Sequence, residues 1–591
     1  MTRIAVVDRE KCQPTKCHLE CVKICPPNRL GEECITISPE PKAVISETLC
    51  IDCGLCMKKP MGCPFDAITI VRTPEALKEP PLFQYGRNMF RLFRLPYPKE
   101  NSVVGIIGSN GAGKSTALKV IAGAFKPNLG RYSQDVSWED IIREFKGQEL
   151  QNFFEGLKEG KFKVSLKPQE VDKIPKAAKG KVRALLEKVD ERKIAFELVK
   201  ELELETVLDS NVSELSGGEL QRMAVIAALS KEADVYLVDE PSSFLDVRQR
   251  LKVARLLKKT AESGKRVVAI EHDLAVLDYM SDYVQVLYGH VGAYGIVSNL
   301  KATGIGINQF LEGYLPDENV RFRANEIKFE TSAPLDLGKA QTLFHYPSLE
   351  KKFTSFDLKV EEGSVRKGEI LGVLGPNGIG KTTFVKMLAG VLEADNTKLE
   401  HRLKVAYKPQ YIETSYEGTV RELISESKLD EELFKNELAP ALEIGRLMDN
   451  YVKNLSGGEL QRLSIALCLG TRADVYLLDE PSAFLDVVQR INAAKLVQRV
   501  VQQKGAVGIV IDHDLVFADY VSNRLLVFDG APGRHGKASS PSEKRPGMNS
   551  FLKGMEVTFR RDKGTGRPRA NKEGSQLDRE QKTSGEYYYT R

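Results

Sequence analysis

Short runs of apolar residues recur along this chain, and several of them lead into glycine-rich or acidic segments. The runs at 103–107 and 370–374 are each followed by a glycine-rich loop and then by apolar residues at helical spacing. The runs at 235–238 and 475–478 each end at an Asp-Glu pair. Apolar strands that lead into loops and helices in this order predict an α/β fold.

Comparison of the chain with itself shows that these runs belong to a duplication. The segments GSNGAGKST at 108–116 and GPNGIGKTT at 375–383 both match GxxxxGK followed by Ser or Thr. In this motif the glycines let the backbone wrap a phosphate chain, the lysine reaches the outer phosphates and the next hydroxyl group binds magnesium. The residues predicted to bind ATP and magnesium are Asn110, Gly111, Gly113, Lys114, Ser115 and Thr116 in the first copy and Asn377, Gly378, Gly380, Lys381, Thr382 and Thr383 in the second.

Five further motifs occur twice in the same order. They are KPQ at 167–169 and 408–410, LSGGELQ at 215–221 and 455–461, VYLVDEP at 235–241 with VYLLDEP at 475–481, FLD at 244–246 and 484–486, and a histidine after an apolar strand at 272 and 513. An aspartate and a glutamate at the end of a strand supply a magnesium ligand and a base for the attacking water. The predicted magnesium ligands also include Asp239 and Asp479, and the predicted catalytic residues are Glu240, Glu480, Gln169, Gln410, His272 and His513.

The two copies differ in length between the P-loop lysine and the repeated glutamine. Lys114 lies 55 positions before Gln169, whereas Lys381 lies 29 positions before Gln410, so the first copy holds about 26 extra residues. We place them at 137–163 as a helix–loop–helix insert, because this stretch has a helix-start sequence and apolar residues at helical spacing. The helix-start sequence begins at Ser137, and the apolar residues are Ile141, Ile142, Phe145, Leu150, Phe153, Phe154 and Leu157. The insert is either a surface element packed on its own domain or an attachment point for a partner.

Nine of the ten cysteines lie between Cys12 and Cys63. Their spacing and two Cys-Pro pairs resemble a bacterial two-cluster ferredoxin, in which the cysteine before proline ligates the other cluster. A pair of zinc sites with four thiolates each is the alternative. The spacer at 57–62 has six residues where the ferredoxin pattern has three, and Cys34 is left over. The resemblance assigns Cys25, Cys50, Cys53 and Cys56 to one 4Fe–4S cluster and Cys12, Cys17, Cys21 and Cys63 to the other.

The order of the repeated motifs resembles that of the ABC ATPase family over about two thirds of the chain. In that family two nucleotide-binding domains close head to tail, with ATP holding them together and hydrolysis releasing them. Glu219 and Glu459 depart from the glutamine usual at the end of the signature motif, and Asp512 stands where the first copy has Glu271. The resemblance implies that the Lys114 site is completed by Ser456 and Gly458, and the Lys381 site by Ser216 and Gly218.

The whole chain resembles the ABC-E ATPases, also called RNase L inhibitors. The features that carry this resemblance are the cysteine segment, the insert and a second repeat, at 306–313 and 547–554, that looks like paired hinges. The family resemblance implies an ATPase that splits ribosomes after termination or rescue. The implied partners are the ribosome, chiefly its small subunit and rRNA, a release or rescue factor, and initiation factors.

The same resemblance implies adenine-stacking roles for Tyr85 and Tyr346, with packing in the core as the alternative. It also implies a domain plan for the whole chain. The implied parts are a ferredoxin-like domain at 1–73, a first ATPase domain at 74–300, a hinge at 301–330, a second ATPase domain at 331–540, and a second hinge with the tail at 541–591.

Length and charge set limits on these hypotheses. A chain of 591 residues with 42% hydrophobic content is long enough for several cores. Its 86 basic and 81 acidic residues give a net charge of +5, a weak indication of a polyanionic partner. Without an apolar run of 18 residues, we expect a cytoplasmic monomer without a membrane partner. Two other classes stay open: an ATPase that gates electron transfer through the clusters, and a subunit that energises a separate permease.

Overall fold

The structure, a computed structural model, describes residues 3–73, 79–329, 340–399, 403–410 and 416–588. These ranges hold a small N-terminal domain and two similar α/β domains. The predicted domain starts at positions 74 and 331 lie outside the described residues. No helix in the described ranges is long and apolar enough to cross a membrane.

The N-terminal domain consists of two small antiparallel sheets around its cysteine loops. Its elements are β1 (Arg3–Val7), α1 (Glu20–Ile24), α2 (Pro26–Arg29), β2 (Ile35–Ile37), β3 (Ala43–Ile45) and β4 (Ile68–Arg72). Strand β1 pairs with β4 along its whole length, and β2 pairs with β3. The two ends of the domain are therefore held together, and most of the cysteines are buried in one small core between the sheets.

The first ATPase domain is built on a twisted sheet with helices against it. Its elements are β5 (Phe83–Gln84), β6 (Arg91–Phe93), β7 (Ser102–Gly108), α3 (Lys114–Ile121), α4 (Trp138–Glu144), α5 (Glu149–Lys158), β8 (Val164–Lys167), α6 (Ile174–Ala177), α7 (Val182–Val189), α8 (Ala195–Glu201), α9 (Gly217–Leu229), β9 (Val235–Asp239), α10 (Val247–Glu262), β10 (Arg266–Ile270), α11 (Leu274–Met280), β11 (Tyr283–His290) and β12 (Tyr294–Val297). Strands β7, β10 and β9 are parallel neighbours. Because they are buried on both faces, their sequences are continuous apolar runs, and their carboxyl ends meet at one edge.

A hinge segment and a second domain of the same plan follow. The hinge contains β13 (Lys301–Ala302), α12 (Thr303–Glu312), β14 (Tyr314–Leu315) and β15 (Val320–Arg321). The second domain contains β16 (Thr342–Tyr346), β17 (Leu349–Lys352), β18 (Asp357–Val360), β19 (Gly363–Arg366), β20 (Ile370–Leu374), α13 (Lys381–Leu388), β21 (Val405–Lys408), α14 (Val420–Glu426), α15 (Glu431–Leu433), α16 (Ala439–Ala441), α17 (Gly457–Gly470), β22 (Val475–Asp479), α18 (Val487–Lys504), β23 (Val507–Ile511), α19 (Leu515–Val521), β24 (Arg524–Ala531) and β25 (His535–Ala538). Its sheet repeats the strand order of the first domain.

The insert of the first domain is a pair of helices, α4 and α5. The side chain of Ser137 caps α4 by accepting a hydrogen bond from the amide of Asp140. Phe145 and Phe154 lie 4.9 Å apart and belong to the same buried cluster as the core of the first domain. Trp138, the single tryptophan of the chain, lies at the start of α4 with the ammonium group of Lys126 5.8 Å from its ring centre. The apolar face of the insert is therefore packed on its own domain.

The C-terminal segment, predicted to be a second hinge and called the second hinge segment here, contacts both ATPase domains. It contains β26 (Ser542–Glu543), α20 (Lys544–Lys553), β27 (Phe559–Arg561), β28 (Pro568–Ala570) and α21 (Gln576–Ser584). Asp278 on α11 of the first domain accepts hydrogen bonds from Arg567 and Arg569. Asp519, at the equivalent place on α19 of the second domain, pairs with Arg561 at 2.8 Å. The two helices that follow the repeated histidines are thus tied to one segment.

Candidate functional site

The carboxyl ends of the parallel strands bring the repeated motifs of each domain together. Strand β7 leads into the P-loop and helix α3, β9 ends at Asp239, and β10 leads to His272. The side-chain amide of Gln169 donates to Glu240 at 2.7 Å, and His272 Nε2 lies 3.6 Å from the same carboxylate. These predicted residues therefore form one group at one edge of the sheet.

The second domain repeats this arrangement with nearly the same distances. Gln410 donates to Glu480 at 2.7 Å, and His513 Nε2 lies 3.5 Å from that carboxylate. Both glutamates have a positive φ, 47° at Glu240 and 49° at Glu480. Non-glycine residues rarely adopt this conformation, and such strain is concentrated at functional sites.

Each P-loop has the shape of a phosphate cradle. Gly113 has a φ of 101° and Gly380 a φ of 95°, which favour glycine. Lys114 Nζ donates to the loop carbonyls of Gly108 and Ser109 at 2.8 and 2.9 Å. These carbonyls hold an ammonium group inside the loop, and the amides at the start of α3 face the same space. The other predicted P-loop residues, Asn110, Gly111, Ser115, Thr116, Asn377, Gly378, Lys381, Thr382 and Thr383, lie in the same two loops and helix starts.

Unpartnered polar atoms at these sites fit a magnesium–nucleotide ligand. In the second domain Thr382 Oγ1 donates to Asp479 at 2.8 Å, while the other carboxylate oxygen of Asp479 has no partner among the described residues. Neither ring nitrogen of His272 makes a hydrogen bond within the described part of the chain, although the side chain is buried. A hydroxyl group and a carboxylate are ligands that magnesium prefers.

Burial sets the protonation of these groups. It lowers the pKa of His272 and of His513 well below the usual value for histidine, so both rings are neutral at pH 7. Burial, reinforced by Asp479, raises the pKa of Glu480 to about 7. Burial likewise raises the pKa of Glu240, so the carboxylates next to the strand ends have a high proton affinity, as a general base requires.

The two domains meet head to tail, and a cavity of about 790 Å³ lies at one of the two shared sites. It is lined by Ser216 and Gly218 of the first domain and by Lys381 and Thr382 of the second. The structure therefore brings together the residues that the sequence placed in one composite site.

At the other shared site the backbone amide of Asn110 donates to Asp486 of the second domain at 3.0 Å. Ser456, which begins α17, caps that helix and accepts a hydrogen bond from the amide of Glu459. Its hydroxyl group also donates to the carboxylate of Glu459 at 2.7 Å. Ser216 and Glu219 form the same capping box at the start of α9. The glutamates that depart from the usual signature motif thus complete helix caps; Gly458 follows in the first turn of α17.

The structure corrects one predicted adenine-stacking residue. Tyr346 is 1% exposed and packs against Phe384 inside the second domain, so its ring is part of the core. Tyr85 is 41% exposed, and its hydroxyl group lies 3.0 Å from that of Thr116. The packing alternative therefore applies to Tyr346, whereas Tyr85 lies beside the P-loop.

Two phenylalanines beside the P-loops were missed by the sequence reasoning. A β-carbon added to Gly113 would lie 2.4 Å from the ring of Phe90, and one added to Gly380 would lie 3.0 Å from the ring of Phe356. Phe356 also lines the shared cavity. Each phenylalanine directly precedes a strand at nearly the same distance before its P-loop, so a full alignment of the two copies would have found the pair.

The structure gathers one of the two predicted sets of cysteines around a common space. A small cavity is lined by Cys12, Cys17, Cys21 and Cys63. In the second predicted set, burial and then the thiols of Cys50, Cys53, Cys21 and Cys25 raise the pKa of Cys56 to about 12. Burial, together with a hydrogen bond to Cys25, raises the pKa of Cys34 to about 12, so Cys34 lies beside the second group. Among the described residues, no three Cys, His, Asp or Glu side chains are placed to hold a single metal ion.

The N-terminal domain is attached firmly to one ATPase domain and lightly to the other. Asn88 of the first ATPase domain is buried and exchanges hydrogen bonds with the backbone of Ala5 and Ile45 at 2.9 to 3.0 Å. Lys59, in the long cysteine spacer, pairs with Asp449 of the second domain at 3.3 Å, and both side chains are exposed. The extra spacer residues therefore reach the second ATPase domain.

Comparisons with known proteins agree with this architecture. The model of the ABC transporter family matches residues 97–243 and 358–483, and a model described as a possible Fer4-like domain in RNase L inhibitor matches residues 2–33. The predictions of two tandem ABC-type domains, of an N-terminal iron–sulfur domain and of ATP hydrolysis are confirmed.

Close relatives extend over the whole chain. An uncharacterised ABC transporter ATP-binding protein of Methanocaldococcus jannaschii is 51% identical over 99% of this chain and 97% of its own length. The translation initiation factor RLI1 of Saccharomyces cerevisiae is 44% identical over 100% of this chain and 98% of its own length. A model of ribosome-bound archaeal Pelota and ABCE1 contains a chain that is 54% identical to this one, with a TM-score of 0.93. The match covers 100% of this chain and 99% of that one. A crystal structure of archaeal ribosomal stalk protein aP1 with the archaeal ribosome recycling factor aABCE1 is 55% identical, with a TM-score of 0.83, over 87% of this chain and 99% of that one.

Proposed function

The chain belongs to the ABC-E family of ATPases, the RNase L inhibitors, and on that premise we propose that it splits ribosomes into subunits with energy from ATP hydrolysis. One observation supports the proposal above the others. A single cavity joins the P-loop of the second domain to the signature residues of the first. ATP bound there would contact both domains, so its presence favours the closed pair and its hydrolysis removes that preference.

In this proposal the chain binds ATP through its P-loops and prepares water for attack. Lys114 and Lys381 give up their loop carbonyls for the outer phosphates, and the helix starts supply amides. Glu240 and Glu480 accept a proton from the attacking water, which Gln and His of the same domain orient. Magnesium, when bound, neutralises charge on the phosphates; its proposed ligands are Ser115, Asp239, Thr382 and Asp479.

We assign two 4Fe–4S clusters to the N-terminal domain, with the cysteine sets given above and Cys34 outside both. The clusters, when bound, cross-link the cysteine loops that the short strands cannot hold alone. The small cavity among Cys12, Cys17, Cys21 and Cys63 supports one of the sets. The second set is supported because Cys50, Cys53 and Cys25 are among the thiols that raise the pKa of Cys56. The role assigned to the domain is mechanical.

The two attachments of the N-terminal domain explain how closure moves it. Buried hydrogen bonds through Asn88 fix it to the first ATPase domain, whereas the exposed pair of Lys59 and Asp449 meets the second. Exposed ion pairs contribute about 0–1 kcal/mol, so this contact is the one that breaks when the ATPase domains move. The N-terminal domain then travels with the first ATPase domain and changes its place relative to the second.

The proposed partners follow from the relatives named above. These include a ribosome recycling factor, a translation initiation factor and a protein bound to a ribosome with Pelota. We infer that this chain binds the ribosome, chiefly the small subunit and its rRNA, as a cytoplasmic monomer. A release or rescue factor is the protein proposed to act with it in splitting, and initiation factors are a further class of partner.

Sucrose-gradient sedimentation of ribosomes with release factor and ATP tests this function. The full chain should convert ribosomes to subunits. A chain without 1–73 should bind ribosomes but leave them intact, because the moving domain is absent. A chain without the insert, 137–163, should keep its basal ATP hydrolysis and bind ribosomes more weakly. Undiminished splitting by the chain without 1–73 would show that the N-terminal domain is not the wedge.

A further inference from the structure

Four charged side chains lie where the two ATPase domains meet, and the two arginines among them also line the shared cavity at the Lys381 site. They are Arg250 and Asp273 of the first domain and Arg490 and Asp514 of the second. The exposed fractions of these side chains are 12%, 4%, 13% and 4%, so all four are largely removed from water. None of them belongs to the repeated ATPase motifs described above. The arginine and the aspartate of the first domain nevertheless have equivalents in the second.

Within each domain the arginine joins two functional loops. Arg250 Nε donates to the carbonyl of Leu245 at 2.8 Å, and its Nη1 donates to Asp273 at 2.8 Å. Leu245 belongs to the repeated FLD segment, and Asp273 directly follows His272. One rigid guanidinium group therefore fixes the FLD segment relative to the histidine of its own ATP site.

The FLD segment in turn reaches the ATP site of the other domain. Asp246 accepts a hydrogen bond from the backbone amide of Asn377, in the second P-loop, at 2.9 Å. An unbroken path thus runs from His272 at the Lys114 site through Asp273, Arg250 and the FLD segment to the P-loop of the Lys381 site.

The second domain contains the mirror image of this path. Arg490 donates to the carbonyl of Leu485 at 2.8 Å and to Asp514 at 2.6 Å. Asp486 of the same FLD segment accepts from the amide of Asn110 in the first P-loop. The path from His513 therefore ends at the P-loop of the Lys114 site.

The two paths come close to each other at the four charges. Helices α11 and α19, which begin after Asp273 and Asp514, pack together. Burial and then the nearby Asp514 raise the pKa of Asp273 to about 6. Burial lowers the pKa of Arg250, but Asp273 and then Asp514 more than offset this effect. Each arginine thus interacts with the carboxylates of both domains, so loss of one charge alone leaves the group unbalanced.

We propose that Arg250, Asp273, Arg490 and Asp514 form one four-charge group that couples the two ATP sites. Nucleotide that draws one P-loop toward the opposite FLD segment shifts the attached arginine and aspartate, and so resets the histidine at the other site. The four are positioning residues, since in this proposal they act through the histidines and the FLD segments that they hold. The inference rests on ATP hydrolysis alone and not on ribosome splitting.

Site-resolved hydrolysis without ribosomes tests the coupling. Glu480→Gln is used to hold ATP at the Lys381 site, and turnover at the Lys114 site is compared with that of a chain in which the Lys381 site is empty. In the parent chain the held ATP should change this turnover at least fivefold, within the usual range for coupled sites. Arg250→Lys keeps the charge but cannot make both bonds, and should reduce the effect to less than twofold.

Matched variants separate coupling from simple charge balance. Arg248→Lys alters an exposed arginine two positions away on the same helix and should leave the coupling at the parent value. The double variant Arg250→Met with Asp273→Asn keeps the interface neutral, so it should fold with a near-parental melting temperature but still lose the coupling. The proposal is overturned if Arg250→Lys or the folded double variant keeps the parental coupling, or if the parent chain shows none.

Discussion

Replacing Asp278 with Asn should release the second hinge segment from the first ATPase domain. The buried carboxylate of Asp278 accepts hydrogen bonds from Arg567 at 3.4 Å and from Arg569 at 2.7 and 2.9 Å. Asparagine has nearly the same shape without the charge, so both guanidinium groups lose a counter-ion. The change therefore acts on charge rather than on packing.

The size of the effect follows from the burial of the two arginines. The side chain of Arg567 is 0% exposed, whereas that of Arg569 is 21% exposed and keeps Asp562 at 3.1 Å. Leaving a buried charge without its partner costs about 3–5 kcal/mol. Since Asp562 also lies near Arg567, we expect the lower end of this range. Since about 1.4 kcal/mol corresponds to a factor of ten, the equilibrium constant for docking of the hinge segment on the first domain should fall by a factor of about 10².

Amide hydrogen exchange measures this equilibrium directly, because local opening limits exchange of protected amides. Exchange in β28, at 568–570, should accelerate about 100-fold, while β7 in the core of the first domain should not change. Asp282→Asn is the matched control, because Asp282 lies 3.6 Å from Lys572 of the hinge but is 30% exposed. An Asp278 variant that exchanges like this control would refute the argument that the buried pair holds the hinge.

Three further predictions concern the candidate sites. Ser216→Arg should abolish nucleotide trapping at the Lys381 site in the opposite domain and leave the other site able to bind; loss confined to the other site would contradict the head-to-tail pairing. Cys25→Ser should lose one cluster and Cys34→Ser should keep all of about eight irons, measured by iron analysis of protein purified without oxygen; full iron in the first variant would exclude that ligand. Phe356→Ala should weaken ATP binding roughly fivefold in titration calorimetry, as expected for the loss of about 1 kcal/mol of aromatic contact, and unchanged affinity would show that the ring does not meet the nucleotide.

Motifs that act within one domain could be read from the sequence. The P-loops, the acidic strand ends and the histidines all follow strands whose carboxyl ends share one edge, so their convergence is a consequence of parallel pairing. Repetition made each of these assignments stronger than its isolated motif. The grouping of the cysteines came instead from the resemblance to a two-cluster ferredoxin, and it stays a prediction.

Features that depend on packing or on contacts between domains could not be read in this way. Tyr85 directly follows β5, whereas Tyr346 ends β16, whose pairing with β19 turns the ring of Tyr346 into the core. Arg250 has the sequence appearance of a solvated helix residue, since a charged side chain at a domain interface has no periodic signal. Lys59 appeared only as part of an irregular spacer, and its partner Asp449 lies 390 positions away.

The location of the single tryptophan has a spectroscopic consequence. Trp138 begins α4, in the insert of the first ATPase domain, and the remainder of the chain contributes tyrosines but no second indole. Light absorbed at the red edge of the aromatic band is therefore emitted from the insert alone. The native chain carries a built-in fluorophore that reports when the insert meets another surface, while closure of the ATPase pair elsewhere leaves its emission unchanged. Contact of the insert with another surface can thus be followed separately from closure of the ATPase pair, without an added label.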